Sequence, residues 1–99
     1  MNIKVKIGDV FKIKWSKNRP YKIYKLYQIK KYKSPIGEYA ARCVKIDNGA
    51  MYLTFFAAEK VSENEVILPL TSHAKWAKLS RLETILYEYE MDKYWKKHF

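Results

Sequence analysis

The chain predicts an α+β fold: an antiparallel sheet or small, partly open barrel of about five or six strands, followed by one long C-terminal amphipathic helix. Three observations carry the prediction. Apolar and charged residues alternate through the first third, Asn48-Gly49 divides two apolar runs, and apolar residues take up three- and four-residue spacing only near the end. The 99 residues form one domain, 1–99, with a β-rich part over 1–70 and a helical part over 71–99.

Ile3, Val5 and Ile7 alternate with Lys4 and Lys6, the period of a half-buried strand. Gly8-Asp9 turns the chain, and Phe11, Ile13 and Trp15 resume the alternation. Ser16 to Pro20 is turn chemistry. The stretch RPYKIYKLYQIKKYK, Arg19 to Lys33, reads as a strand because aromatic and β-branched residues dominate it. Tyr21, Ile23, Tyr27 and Ile29 fit one face, with Lys25 breaking the set, and Tyr24, Leu26 and Tyr32 the other, although Tyr21, Tyr24 and Tyr27 also fit helical spacing. Ser34 to Gly37 is a turn, and Glu38 to Ile46 a strand. Asp47-Asn48-Gly49 supplies the positive φ angles of a tight hairpin, with Met51 to Phe56 returning. Ala57 to Asn64 reads as a polar connection and Val66 to Leu70 as a last short strand, Pro69 at its edge. Leu79, Leu82, Leu86 and Tyr89 then form one apolar stripe, and Ser80-Arg81-Leu82-Glu83 matches a capping box. Thr71 or Ser72 could equally cap an earlier turn through Trp76.

Charge is the informative total. The net charge is +10, and it is unevenly spread: residues 1–45 carry +11, 46–70 carry −3 and 71–99 carry +2. Such asymmetry speaks about partners rather than about fold. No apolar run is long enough to span a bilayer, and the N-terminus lacks the apolar block of a signal peptide, so the protein is expected in the cytoplasm and off membranes. A single cysteine, Cys43, leaves no intrachain disulfide and no cysteine-based zinc site.

No catalytic constellation stands out. The chain has no GxGxxG, Walker loop, HExxH or GxSxG, and no cofactor or metal is expected. His73 reads as a helix-start residue, Glu59, Glu63 and Glu65 as a solvated acidic turn, and Cys43 as a small core hydrophobe.

The basic first half points to a polyanion. Lysines at alternate strand positions would form ladders that displace counterions from a phosphate backbone. Exposed tyrosines among them would stack on bases. The expected nucleic-acid-binding residues are Lys4, Lys6, Lys12, Lys14, Arg19, Lys22, Tyr24, Lys25, Lys30, Lys31, Tyr32 and Lys33. Lysine on an edge strand also guards against aggregation, and tyrosine is an ordinary strand residue, so exposure decides the reading. A second reading is a protein–protein module, a host-factor inhibitor or virion component, acting through helix 80–97. Its carrier would be the apolar set Ile85, Tyr94, Trp95 and Phe99, with a homodimer left open.

Two resemblances bear on function. Gly8-Asp9-Val10, Arg19-Pro20 and Pro69-Leu70-Thr71-Ser72 occur in an order that resembles the toxin endoribonucleases of toxin–antitoxin systems, with a longer gap between the last two pieces. That resemblance implies a small barrel in which Arg19 contacts phosphate and Thr71 or Ser72 sits by the scissile bond of RNA. In composition, seventeen Lys, nine Tyr, nine Ile and one Gln resemble small basic proteins of filamentous viruses that infect hyperthermophilic archaea. AT-rich phages of Gram-positive bacteria offer a similar style. The viral resemblance implies a product acting inside an infected host cell, and it transfers no site residues.

Overall fold

A computed structural model describes residues 1–33, 38–47 and 50–98. Among them are seven strands, β1 (Asn2–Lys6), β2 (Val10–Lys14), β3 (Lys22–Lys31), β4 (Tyr39–Asp47), β5 (Ala50–Ser62), β6 (Glu65–Pro69) and β7 (Lys75–Lys78), followed by helix α1 (Arg81–His98). They form one antiparallel sheet in the order β1-β6-β5-β4-β3-β2-β7.

The α+β class and the single terminal helix are as expected, and the strand count is seven. The additional strand is β7, in a segment expected to begin the helical part; its short Lys-Trp-Ala-Lys run pairs with the open edge of β2. β5 is also longer than the Met51–Phe56 expected. Its first part pairs with β4 through Ala58 and its last part with β6 from Glu59, so one long strand bends between two halves of the sheet. The Asn48-Gly49 and Ser34–Gly37 turns lie outside the described residues, although Asp47 opposite Ala50 leaves a two-residue connection between β4 and β5.

Pleating sends alternate residues to opposite faces, and the sheet curls until one face encloses a core. Ile3 and Val5, Phe11 and Ile13, Tyr24 and Leu26, Ala41 and Cys43, Ala58, and Val66 and Leu68 all meet there. The result is a nearly closed barrel. Closure is visible at the β1–β2 link: the Ile7 amide donates to the Asn64 carbonyl at 2.8 Å, and the next amide, Gly8, donates to Leu26 of β3 at 2.7 Å. Gly8 has φ of +97°, a left-handed conformation that side-chain-bearing residues avoid, and it lets consecutive amides serve both ends of the sheet.

β3 changes phase along its length. A bulge between Leu26 and Gln28 inserts Tyr27, so Tyr24 and Leu26 point inward before it and Ile29 points inward after it. Strict alternation would have put Ile29 on the outer face with Ile23, which is why the expected division of this stretch fails.

Helix α1 lies across the outer face. The capping box forms as expected: Glu83 N donates to Ser80 Oγ at 3.2 Å, and Ser80 N donates to Glu83 Oε1 at 3.1 Å. The buried helix residues are Tyr87 and Met91, packed on Val44, with Val10, Ile23, Tyr27 and Leu79 around them. Leu82, Ile85, Leu86 and Tyr89 are instead 56–70% exposed. Of the expected stripe only Leu79 packs on the barrel, while Leu82, Leu86 and Tyr89 face away. Tyr87 and Met91 fill the apolar patch instead, and Lys12–Glu83 at 3.3 Å and Lys25–Glu88 at 2.8 Å flank it.

Candidate nucleic-acid interface

The structure divides the twelve expected residues instead of joining them. Lys4 and Lys6 are exposed on β1, whose sheet neighbour is β6. Lys12 and Lys25 are spent on α1, each with its ammonium against a helix carboxylate. Lys14, Arg19 and Lys22 lie where β2 leads into β3, with Arg19 exposed in the turn. Lys30, Lys31, Tyr32 and Lys33 are exposed at the opposite end of β3, a strand about 30 Å long.

Tyr24 is a correction. It is 3% exposed inside the barrel, stacked on Phe11 at 5.9 Å and edge-on to Phe56 at 5.2 Å, so its ring has no face left for a base. Tyr32, by contrast, is 62% exposed.

A second group of residues was not foreseen. Arg42 of β4 is the register partner of both Gln28 on β3 and Phe55 on β5. Its guanidinium lies 5.4 Å from the Tyr27 ring centre and 5.3 Å from that of Phe55, and its Nη1 donates to Gln28 Oε1 at 2.7 Å. Phe55 remains 57% exposed. Two residues along each strand, the row Lys30–Ala40–Ala57 continues the same face. Of its alanines Ala40 is buried and Ala57 half-buried, and Lys30 is exposed at the margin. Such a face offers a stacking surface, a planar cation and a hydrogen-bonding amide, next to the exposed run Lys30–Lys33. The signal was present in MYLTFF, where Leu53 and Phe55 on one face and Tyr52, Thr54 and Phe56 on the other are all largely apolar. One of those faces had to be either covered or open.

At the other end of β3, Lys14, Ser16, Lys17, His73 and Lys75 line a cleft of about 210 Å³. The Tyr21 ring, 42% exposed, lies 5.2 Å from the Lys12 ammonium and 5.9 Å from that of Lys14. His73 is exposed in the turn before β7 rather than at a helix start. Arg19, Thr71 and Ser72 are all exposed, in the two turns that meet at this cleft.

A recess of about 430 Å³ carries Glu38 and Glu59 beside a Lys60 that is already bonded to Glu63 at 2.8 Å. Its carboxylates make it a poor place for a polyanion. Burial in the barrel pushes the Cys43 thiol up to about 12, so it is no nucleophile. Among the described residues no helix is long and apolar enough to cross a membrane, and no three His, Cys, Asp or Glu side chains are grouped to hold a metal. No family model, curated protein or solved structure matches the chain.

Proposed function

We propose that this is a small non-enzymatic nucleic-acid-binding protein of viral or mobile-element origin, acting inside its host cell. The observation that carries the reading is the Gln28–Arg42–Phe55 row: an exposed aromatic ring on an open sheet face, braced by a guanidinium and bordered by Lys30. Aromatic rings in that setting hold unpaired bases by stacking, and the neighbouring lysines draw the backbone. The face centres on β3 to β5 and Lys30–Lys33, so it keeps only part of the Lys/Tyr surface expected from residues 1–33. The test is binding of a labelled single strand and a labelled duplex across a salt series. Affinity that falls as salt rises, with the single strand bound more tightly, supports the reading; no binding at low salt, or a salt-independent affinity, overturns it.

A second reading, a protein–protein module, is favoured by the outward stripe of α1, where Leu82, Ile85, Leu86 and Tyr89 are all more than half exposed. An apolar row of this kind on a surface helix marks a docking face more often than an idle one. Of the set Ile85, Tyr94, Trp95 and Phe99, only Ile85 falls among the described side chains. Sedimentation over a wide concentration range tests it, with a monomer at every concentration and no captured partner counting against it.

A further inference from the structure

Lys14 and Lys75 are direct cross-strand partners where β2 pairs with β7. Like charges set opposite each other on adjacent strands repel. No carboxylate relieves them: none lines the cleft, among the described residues neither lysine enters an ion pair, and Lys14 has only the Tyr21 ring at 5.9 Å. Lys17, from the turn that follows β2, adds a third lysine to the lining, and His73 comes from the turn that precedes β7. The half-buried Ser16 completes the lining. These segments, far apart in sequence, converge because β7 runs antiparallel to β2, so that the end of one strand meets the start of the other. A fold that gathers three lysines and leaves them without a counter-charge has left room for an anion.

We propose that this cleft binds a phosphate monoester or free phosphate, seated between Lys14 and Lys75. Lys17 and the Ser16 hydroxyl are further donors, and His73 stands at the rim. The cleft's roughly 210 Å³ suits a single tetrahedral anion rather than a length of strand. Ammonium groups act on phosphate as compact point charges, without the fork geometry that arginine needs. A monoester carries between one and two negative charges at neutral pH against one for a backbone diester, so three clustered lysines favour a terminal phosphate over an internal one. The site stands apart from the Phe55 face and does not rest on the nucleic-acid reading.

Thermal unfolding of the full chain tests the proposal directly, with inorganic phosphate compared against sodium chloride at matched ionic strength. Phosphate should raise the wild-type midpoint and chloride should not. Lys75→Gln should raise the midpoint of the free protein, by removing the cross-strand repulsion, while erasing the phosphate shift. Lys14→Gln should erase it too, and Lys93→Gln, out on α1, should keep it. Anisotropy titrations then separate the two sources of the anion. A 5′-phosphorylated oligonucleotide bound about tenfold more tightly than its 5′-hydroxyl twin, with the advantage lost in Lys14→Gln, assigns the cleft to strand ends. A phosphate-specific midpoint shift with no such preference assigns it to free phosphate or a small ester. A shift that chloride reproduces, or one that survives both lysine substitutions, overturns the proposal. Loss of single-strand binding in Phe55→Ala would leave these outcomes untouched, so the two readings fail separately.

Discussion

Trp15 donates its indole N–H to the Tyr24 hydroxyl at 2.8 Å, with the two rings edge-to-face at 85°. The bond lets a tyrosine sit inside an apolar barrel, because its polar end is satisfied within the core. Phe11 and Phe56 complete the cluster around it.

Tyr24→Phe should therefore destabilise the protein by about 1 kcal/mol, by leaving the Trp15 N–H without its acceptor. Chemical denaturation followed by tryptophan emission measures it. An unchanged midpoint would mean that water replaces the hydroxyl at no loss.

Two residues apart on α1, Tyr87 and Tyr89 should behave oppositely. Tyr87 is 5% exposed and donates its hydroxyl to the Val44 carbonyl at 3.1 Å, whereas Tyr89 is 70% exposed. Tyr87→Ala should cost about 3 kcal/mol or more, as for other large buried aromatics. Tyr89→Ala should stay within about 0.5 kcal/mol. Equal effects would mean that the helix docks by its other face.

The start of the same helix is held by Ser80. Ser80→Ala should cost about 1 kcal/mol of stability. Hydrogen bonds from the Ser80 backbone and hydroxyl, then from Lys12, hold the Glu83 carboxyl below its usual range. A lowered carboxylate adds stability above its ordinary value and loses it as pH falls through the lowered one. The wild-type acid transition should therefore narrow its gap to Ser80→Ala at low pH, which parallel pH titrations of stability would show.

Alkali should weaken the fold for a related reason. Burial raises the Cys43 thiol from 9.0 to about 12 and raises the Tyr87 hydroxyl as well, desolvation being the first cause in both. Between 9 and 12 the unfolded chain has released the Cys43 proton while the folded chain retains it, so stability falls as pH rises through that window. A thiol reagent at pH 8 should leave Cys43 unmodified until the protein unfolds, and Cys43→Ala should flatten the alkaline loss.

For the sheet face, Phe55→Ala should weaken single-strand binding by about 1–3 kcal/mol. Stability should change little, because that ring is more than half exposed. Replacing Lys30, Lys31 and Lys33 with glutamine should reduce the salt dependence of binding. Replacing Lys12 and Lys25 should loosen the helix instead, since their charges are already met by Glu83 and Glu88.

Much of the fold was legible because local chemistry and tertiary structure agreed. Alternation marked β1 and β2, Ser80 and Glu83 marked the helix start, and Asp47 and Ala50 do flank a two-residue link. What escaped depended on partners distant in sequence. Nothing local announces that Tyr27 is a bulge, which reverses the facing of everything after it in β3. Nothing in the helix alone chooses between the Leu82–Tyr89 face and the Tyr87–Met91 face; the apolar patch of Val10, Ile23, Tyr27 and Val44 on the barrel receives Tyr87 and Met91, with Lys12 and Lys25 pairing beside it. Lysine ladders were visible as residues, but two of their rungs serve as anchors for the helix. Arg42 and Phe55 look unrelated in the chain and meet only because β4 and β5 pair in that register.

The link through Gly8 has a consequence for how the protein is made. β1 is made before its partner β6, so it waits unpaired until about sixty further residues have followed. β2 to β6, a plain meander of neighbours, can assemble without it. During that wait Ile3 and Val5 would be a sticky ribbon, and the lysines at positions 4 and 6 keep it from adhering to other nascent chains. Lys4 and Lys6 thus serve the folding of this basic protein before they can serve any ligand.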